Sequence, residues 1–140
     1  MRRIFLFGAS TGISHYGVGN YTDLIFKVLH KEPLITIVYI DFKLTSDKEN
    51  IELTEYRNRD TKICFKLNSG NLYKHFDSRR VISAMEQLFE MKANDFFHFN
   101  CPEHLSIIQT LRDRLNPSIL YTIHFDIKQL EKMSDLNYNA

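Results

Sequence analysis

Apolar runs alternate with helical spacing along the whole chain. Ile4–Phe7 is a short apolar run, read as a first strand. A loop with Gly8, Gly12, Gly17 and Gly19 follows, and Val18, Tyr21, Leu24, Ile25, Val28 and Leu29 then fall on one helical face. Pro33 ends that helix, and Leu34–Phe42 (LITIVYIDF) is a β-branched run suited to a buried strand. Thr45–Asp60 is polar and weakly periodic, which predicts a surface loop. Lys62–Leu67 reads as a third strand, closed by the turn cluster Asn68-Ser69-Gly70-Asn71. Val81, Ile82, Met85, Leu88 and Phe89 make a second helical face, and Asp95–Phe99 a fourth strand. Pro102 suits a helix start, with Leu105, Ile108, Leu111 and Leu115 as its buried stripe and Asn116-Pro117 as its stop. Ser118–Ile123 is a fifth strand, and Ile127–Met133 begins another helix. The order βαβ(β)αβαβ predicts an α/β fold: a Rossmann-like three-layer sandwich with a mostly parallel sheet and helices on both faces.

Length sharpens this to one domain over residues 1–140, and 44% hydrophobic residues suffice for a core. The 18 basic and 17 acidic residues nearly cancel, so no bulk field draws in nucleic acid. Cys64 and Cys101 form neither a CxxC pair nor a Cys/His metal spacing, so no metal site is expected and a reduced, cytoplasmic setting fits. No apolar run approaches the roughly 18 residues of a membrane helix. Met1-Arg2-Arg3 before an apolar run faintly mimics a signal peptide, but the run ends at Ala9 and a polar loop follows.

The glycine loop carries the candidate chemistry. Gly8-Ala9-Ser10-Thr11-Gly12-Ile13-Ser14 is similar to the glycine turn of short-chain dehydrogenases, and Tyr39 and Lys43 have the Tyr-x-x-x-Lys spacing of that family's catalytic pair. Ser14 stands where a third glycine belongs, however, and Tyr39 and Lys43 fall in a strand, where a four-residue spacing merely repeats one face. Asp41 ends the second strand, the place of a ribose-binding acid in a dinucleotide fold. A nucleotide- or NAD(P)-binding module is the alternative that these residues leave open.

Three further segments, in order, span most of the chain. Tyr16-Gly17-Val18-Gly19-Asn20-Tyr21 sits at a helix start; Asp95-Phe96-Phe97-His98-Phe99-Asn100 ends a strand; Tyr121-Thr122-Ile123-His124-Phe125-Asp126 follows another. Together they resemble the N-terminal, acceptor-side domain of family 4 retaining glycosyltransferases, one half of a GT-B architecture. Tyr16 takes the place of that family's first glycine, and Asn100 that of its final histidine. The resemblance implies transfer of a sugar from a nucleotide-sugar donor to a glycan or lipid-linked acceptor, without metal or resident cofactor. It implies that a C-terminal domain, absent from these residues, binds the donor, so that the chain alone is inactive. It assigns His124 to positioning the sugar and Gly17, Val18, Gly19, His98, Asn100 and Asp126 to substrate contact. A cytoplasmic place at the inner membrane surface fits such an acceptor, and peripheral membrane contact and a homodimer stay open.

Each residue also has a plainer use. Gly17 and Gly19 suit a turn or close helix packing, and His98 a strand-end core histidine between Phe97 and Phe99. Asn100 suits either a helix cap or a hydroxyl contact, and Asp126 either a cap or the site. His15 and Tyr16 suit an exposed loop. Lys74, Arg79 and Arg80 form a basic cluster, read as a solvated face or a phosphate contact. A flavodoxin-like interaction domain without a ligand is the remaining reading.

Overall fold

The computed structural model describes residues 2–10, 16–56, 59–68, 78–101 and 104–123. In chain order the elements are β1 (Arg2–Ser10), α1 (Tyr16–Leu29), β2 (Ile35–Leu44), β3 (Asn50–Glu55), β4 (Thr61–Leu67), α2 (Ser78–Leu88), β5 (Phe96–Phe99), α3 (Leu105–Arg114) and β6 (Ser118–Tyr121). They build a six-stranded sheet in the order β3-β4-β2-β1-β5-β6. All neighbouring pairs are parallel except β3–β4, which is antiparallel. Helix α1 covers one face, and α2 and α3 the other. The Rossmann-like three-layer sandwich expected from the alternation is present.

The face under α2 and α3 explains the phenylalanine content. Phe5 stacks on Phe97 with centroids 4.8 Å apart, Phe7 on Phe99 at 4.3 Å and Phe42 on Phe65 at 5.3 Å. These rings lie at alternating positions on β1, β5, β2 and β4, so one face of the sheet becomes an aromatic floor. Val81, Ile82 and Met85 of α2 and Ile107 and Leu111 of α3 seal it.

Four expectations are corrected. Part of the Thr45–Asp60 loop is an edge strand, β3, whose Ile51 and Leu53 pair with Phe65 and Ile63. It reads as a loop because both its faces stay exposed, which leaves only a short, half-polar alternation. On α1 the buried residues are Thr22 and Phe26, while Leu24 and Val28 are 60% and 55% exposed. Polar contacts set that rotation: Thr22 and Asp23 both bond the Tyr39 hydroxyl of β2. On α3 the buried stripe is Ile107 and Leu111, and Leu105 is exposed. On α2, Leu88 is exposed at the helix end, and Phe89 takes the place against the core.

Candidate functional site

The chain leaves β1 through α1 toward β2 on one side and places β5 on the other. Connections diverge there, and open parallel sheets form their ligand crevice beyond the carboxyl ends of the two strands. Gly8 of β1, the first turn of α1, Asn100 and Cys101 after β5, and Thr122 after β6 all lie at this edge.

Gly17, Val18 and Gly19 belong to the first turn of α1, which contains no acidic residue. The positive dipole end of the helix therefore meets no carboxylate from that turn.

Asn100 and Cys101 stitch the chain after β5 to β1. The Asn100 side-chain amide donates to the Phe7 carbonyl at 2.9 Å, and the Cys101 thiol points to the Gly8 carbonyl at 3.9 Å. Helix α3 starts at Leu105, and the residue before it is His104, which makes no side-chain cap bond. His104 is buried against the rings of Phe7 and Phe42, with centroids 5.7 Å and 4.8 Å away.

His98 joins three elements. Its Nε2 is hydrogen-bonded to Thr122 Oγ1 at 2.8 Å, and Tyr21 of α1 meets the ring edge-on. It is buried, as is Asn100. The acid that opens the same sequence segment serves the opposite edge. Asp95 precedes β5 and accepts from Arg3 Nε and Nη2, at 3.0 and 2.6 Å, and from the Lys92 N–H at 2.7 Å. The segment thus divides into a structural acid at one end of β5 and crevice residues at the other.

His15, His124 and Asp126 lie outside the described residues, as does Lys74. Of the basic cluster, Arg80 donates to Glu49 Oε1 at 2.7 Å. That bond holds the Glu49 carboxyl below its ordinary range. Among the described residues no group of three or more His, Cys, Asp or Glu could hold a metal, and no helix is long and apolar enough to cross a membrane.

The pair with dehydrogenase spacing separates. Tyr39 is buried, its hydroxyl donating to Asp23 Oδ1 at 2.8 Å with Thr22 Oγ1 also 2.8 Å away, whereas Lys43 is exposed. Burial above all, with the nearby Asp41 charge next, pushes the Tyr39 hydroxyl well above its usual range. A phenol so held is a poor proton donor or base near neutral pH.

Asp41 is the residue whose setting the sequence underrated. It is a half-buried carboxyl in β2, paired in register with Cys64 of β4. A Cβ built on Gly8 would stand 2.3 Å from Asp41 Oδ1 and 2.7 Å from Tyr39 Cε1. The absent side chain of Gly8 is therefore the space that the carboxyl occupies. Burial, then repulsion from Asp23, raises the carboxyl to about 6, while Lys43 and Lys62 favour its charged form. The signal in the sequence is an acid inside the otherwise apolar and aromatic run LITIVYIDF.

The fold has a solved counterpart. The chain is similar to an α,α-trehalose-phosphate synthase (UDP-forming) from Burkholderia xenovorans, solved in complex with glucose-6-phosphate. The TM-score is 0.56 at 14% identity, over 99% of this chain and 37% of that one. The chain thus spans little more than a third of the enzyme it resembles. No protein-family model matches the sequence, and no curated protein does.

Proposed function

We propose that the chain is the sugar-binding, acceptor-side half of a glycosyltransferase that moves a sugar from a nucleotide-sugar donor to a glycan or lipid-linked acceptor. The observation that carries this reading is the convergence at one sheet edge. The glycine-rich first turn of α1 and the strand end His98–Asn100 flank the point where the connections diverge. Both come from segments that resemble the transferase family, and the similar structure is a UDP-forming synthase holding a sugar phosphate.

In this reading Gly17, Val18 and Gly19 let a hydroxyl or phosphate approach the N–H groups of α1. His98 and Asn100, whose side chains are engaged with Thr122 and Phe7, form the floor beneath the ligand. His124 and Asp126, which follow β6 in the chain, act on the sugar, His124 by positioning it. The donor diphosphate is held chiefly by a second domain, and no resident cofactor takes part. The chain works in the cytoplasm, next to the membrane where a lipid-linked acceptor is used. A dinucleotide module is the second reading, favoured by Asp41 at the end of a strand beside Gly8.

Amide NMR of the full chain separates the two. Glucose-6-phosphate or UDP-glucose is expected to shift Gly17, Gly19, His98 and Asn100, and His124→Ala to weaken that response. Saturable binding of NAD or NADP with no response to either sugar compound would overturn the transferase reading.

A further inference from the structure

Asp41 breaks two rules that the rest of the sheet obeys. Among the described residues it is a half-buried carboxyl that accepts no hydrogen bond, although buried acids are normally paired. Asp60 and Asp95, buried acids elsewhere among the described residues, are both paired: Asp60 with His30 and the Ile37 N–H, and Asp95 with Arg3 and the Lys92 N–H. The neighbouring strand also gives up a side chain at Gly8 to make room for it. A residue that weakens the fold and yet sits at the ligand edge is a mark of function rather than packing.

We propose that Asp41 is a ligand-binding carboxylate that accepts the paired hydroxyl groups of a sugar or ribose held between the carboxyl ends of β1 and β2. This rests on the reading of the chain as a sugar-binding domain. The surroundings select a neutral hydroxyl donor over a cation. Lys43 of β2 and Lys62 of β4 already offset the negative charge, while Asp23 of α1 opposes it. An added ammonium group would meet both lysines; two hydroxyl donors would supply the missing hydrogen bonds and add no charge. Tyr39 is occupied by Asp23 and Thr22, and Cys64 beside Asp41 is a thiol that burial raises above its ordinary range. Burial, with Asp23 next, moves the titration of Asp41 itself up into the mildly acidic range.

A bound diol stabilises the ionised carboxyl, so ligand and proton compete. The test follows the Asp41 side-chain carbon by NMR in the full chain through a pH titration. It is run with no addition, with glucose-6-phosphate, with UDP and with 2′-deoxy-UDP. The hexose and the ribose are the two sources of the diol, and the deoxy compound lacks the ribose pair. The expected result is a lower titration midpoint with one of the first two, and affinity that tightens about tenfold for each unit of that shift. Asp41→Asn, which removes the charge without adding bulk, should bind weakly with a flat pH profile. Amides of α1 and β5 that respond while Asp41 does not would overturn this assignment alone. No response at any position would overturn the sugar-binding reading with it.

Discussion

His30 and Asp60 lock the end of α1 to the start of two strands. The His30 Nδ1 lies 2.5 Å from Asp60 Oδ2, and Asp60 Oδ1 accepts the Ile37 N–H at 2.8 Å. Asp60 is fully buried, so each donor replaces water that the carboxyl has lost. The imidazole also stacks on Phe26, centroids 5.1 Å apart, and meets Tyr56 edge-on at 5.2 Å. Replacing His30 with Ala is expected to cost about 1–3 kcal/mol, the usual penalty for a buried acceptor that loses a partner. Urea denaturation should show a lower midpoint at unchanged slope, and His30→Gln, which keeps a donor, should recover part of the loss.

Gly8→Ala tests the close approach of β1 and β2. The added methyl carbon would lie 2.3 Å from Asp41 Oδ1 and 2.7 Å from Tyr39 Cε1, so both side chains must shift. Overpacking of this kind costs about 1–3 kcal/mol. Removing the Asp41 carboxyl as well, in a Gly8→Ala, Asp41→Ala double mutant, should relieve part of that loss. A double-mutant cycle read by thermal unfolding should give a coupling of at least about 0.5 kcal/mol; strict additivity would place the strain elsewhere.

The architecture was legible because strand burial leaves a plain record. LITIVYIDF and DFFHF are almost continuous apolar runs, and runs of that kind become central parallel strands. Helix rotation was less legible. Leu24 and Val28 outrank Thr22 in hydrophobicity, yet Thr22 is buried because Tyr39 lies beneath it with a hydroxyl to satisfy. That partner is distant in sequence, and a helical wheel carries no trace of it. The candidate site was legible in part. Asn100 and His98 stand at the carboxyl end of β5, but the partners described above, a Phe7 carbonyl and Thr122, arise only when β1, β5 and β6 assemble. Asp41 was visible as an acid in an apolar strand; only the apposed Gly8 shows that its place was made for it.

Stability should fall as the pH rises through the titration of Asp41. The carboxyl is raised from 3.8 to about 6 in the folded chain, chiefly by burial. Between those values the folded state holds a proton that the unfolded state has released. The group's contribution to stability is therefore greatest below about pH 4 and declines until the folded carboxyl has ionised, above about pH 6. The shift sets an upper bound of about 3 kcal/mol on the change, reduced by the exposed part of the carboxyl. Asp41→Asn should remove this slope and be more stable than the parent at pH 7.5. Chemical denaturation at pH 5 and 7.5 gives the check, and a parent that gains stability relative to the variant on going to pH 7.5 would contradict it.

Asn100→Asp reverses the polarity of the stitch between β5 and β1 at constant size. The native amide donates to the Phe7 carbonyl at 2.9 Å from a position 1% exposed. A carboxylate there would face the carbonyl oxygen with no proton to offer, so its ionised form should be disfavoured in the folded state and its titration raised. In its protonated form the new acid can still donate, and the variant should then approach the parent in acid. As the pH rises, the unfolded state releases its proton first and stability drops, by about 1–3 kcal/mol at neutral pH. Asn100→Ala, which removes the donor without adding charge, should show a loss that does not depend on pH. Unfolding midpoints of the two variants at pH 5 and 7.5 separate the outcomes. Equal pH dependence in both would mean that Asn100 does not hold the end of β1 in place through its amide.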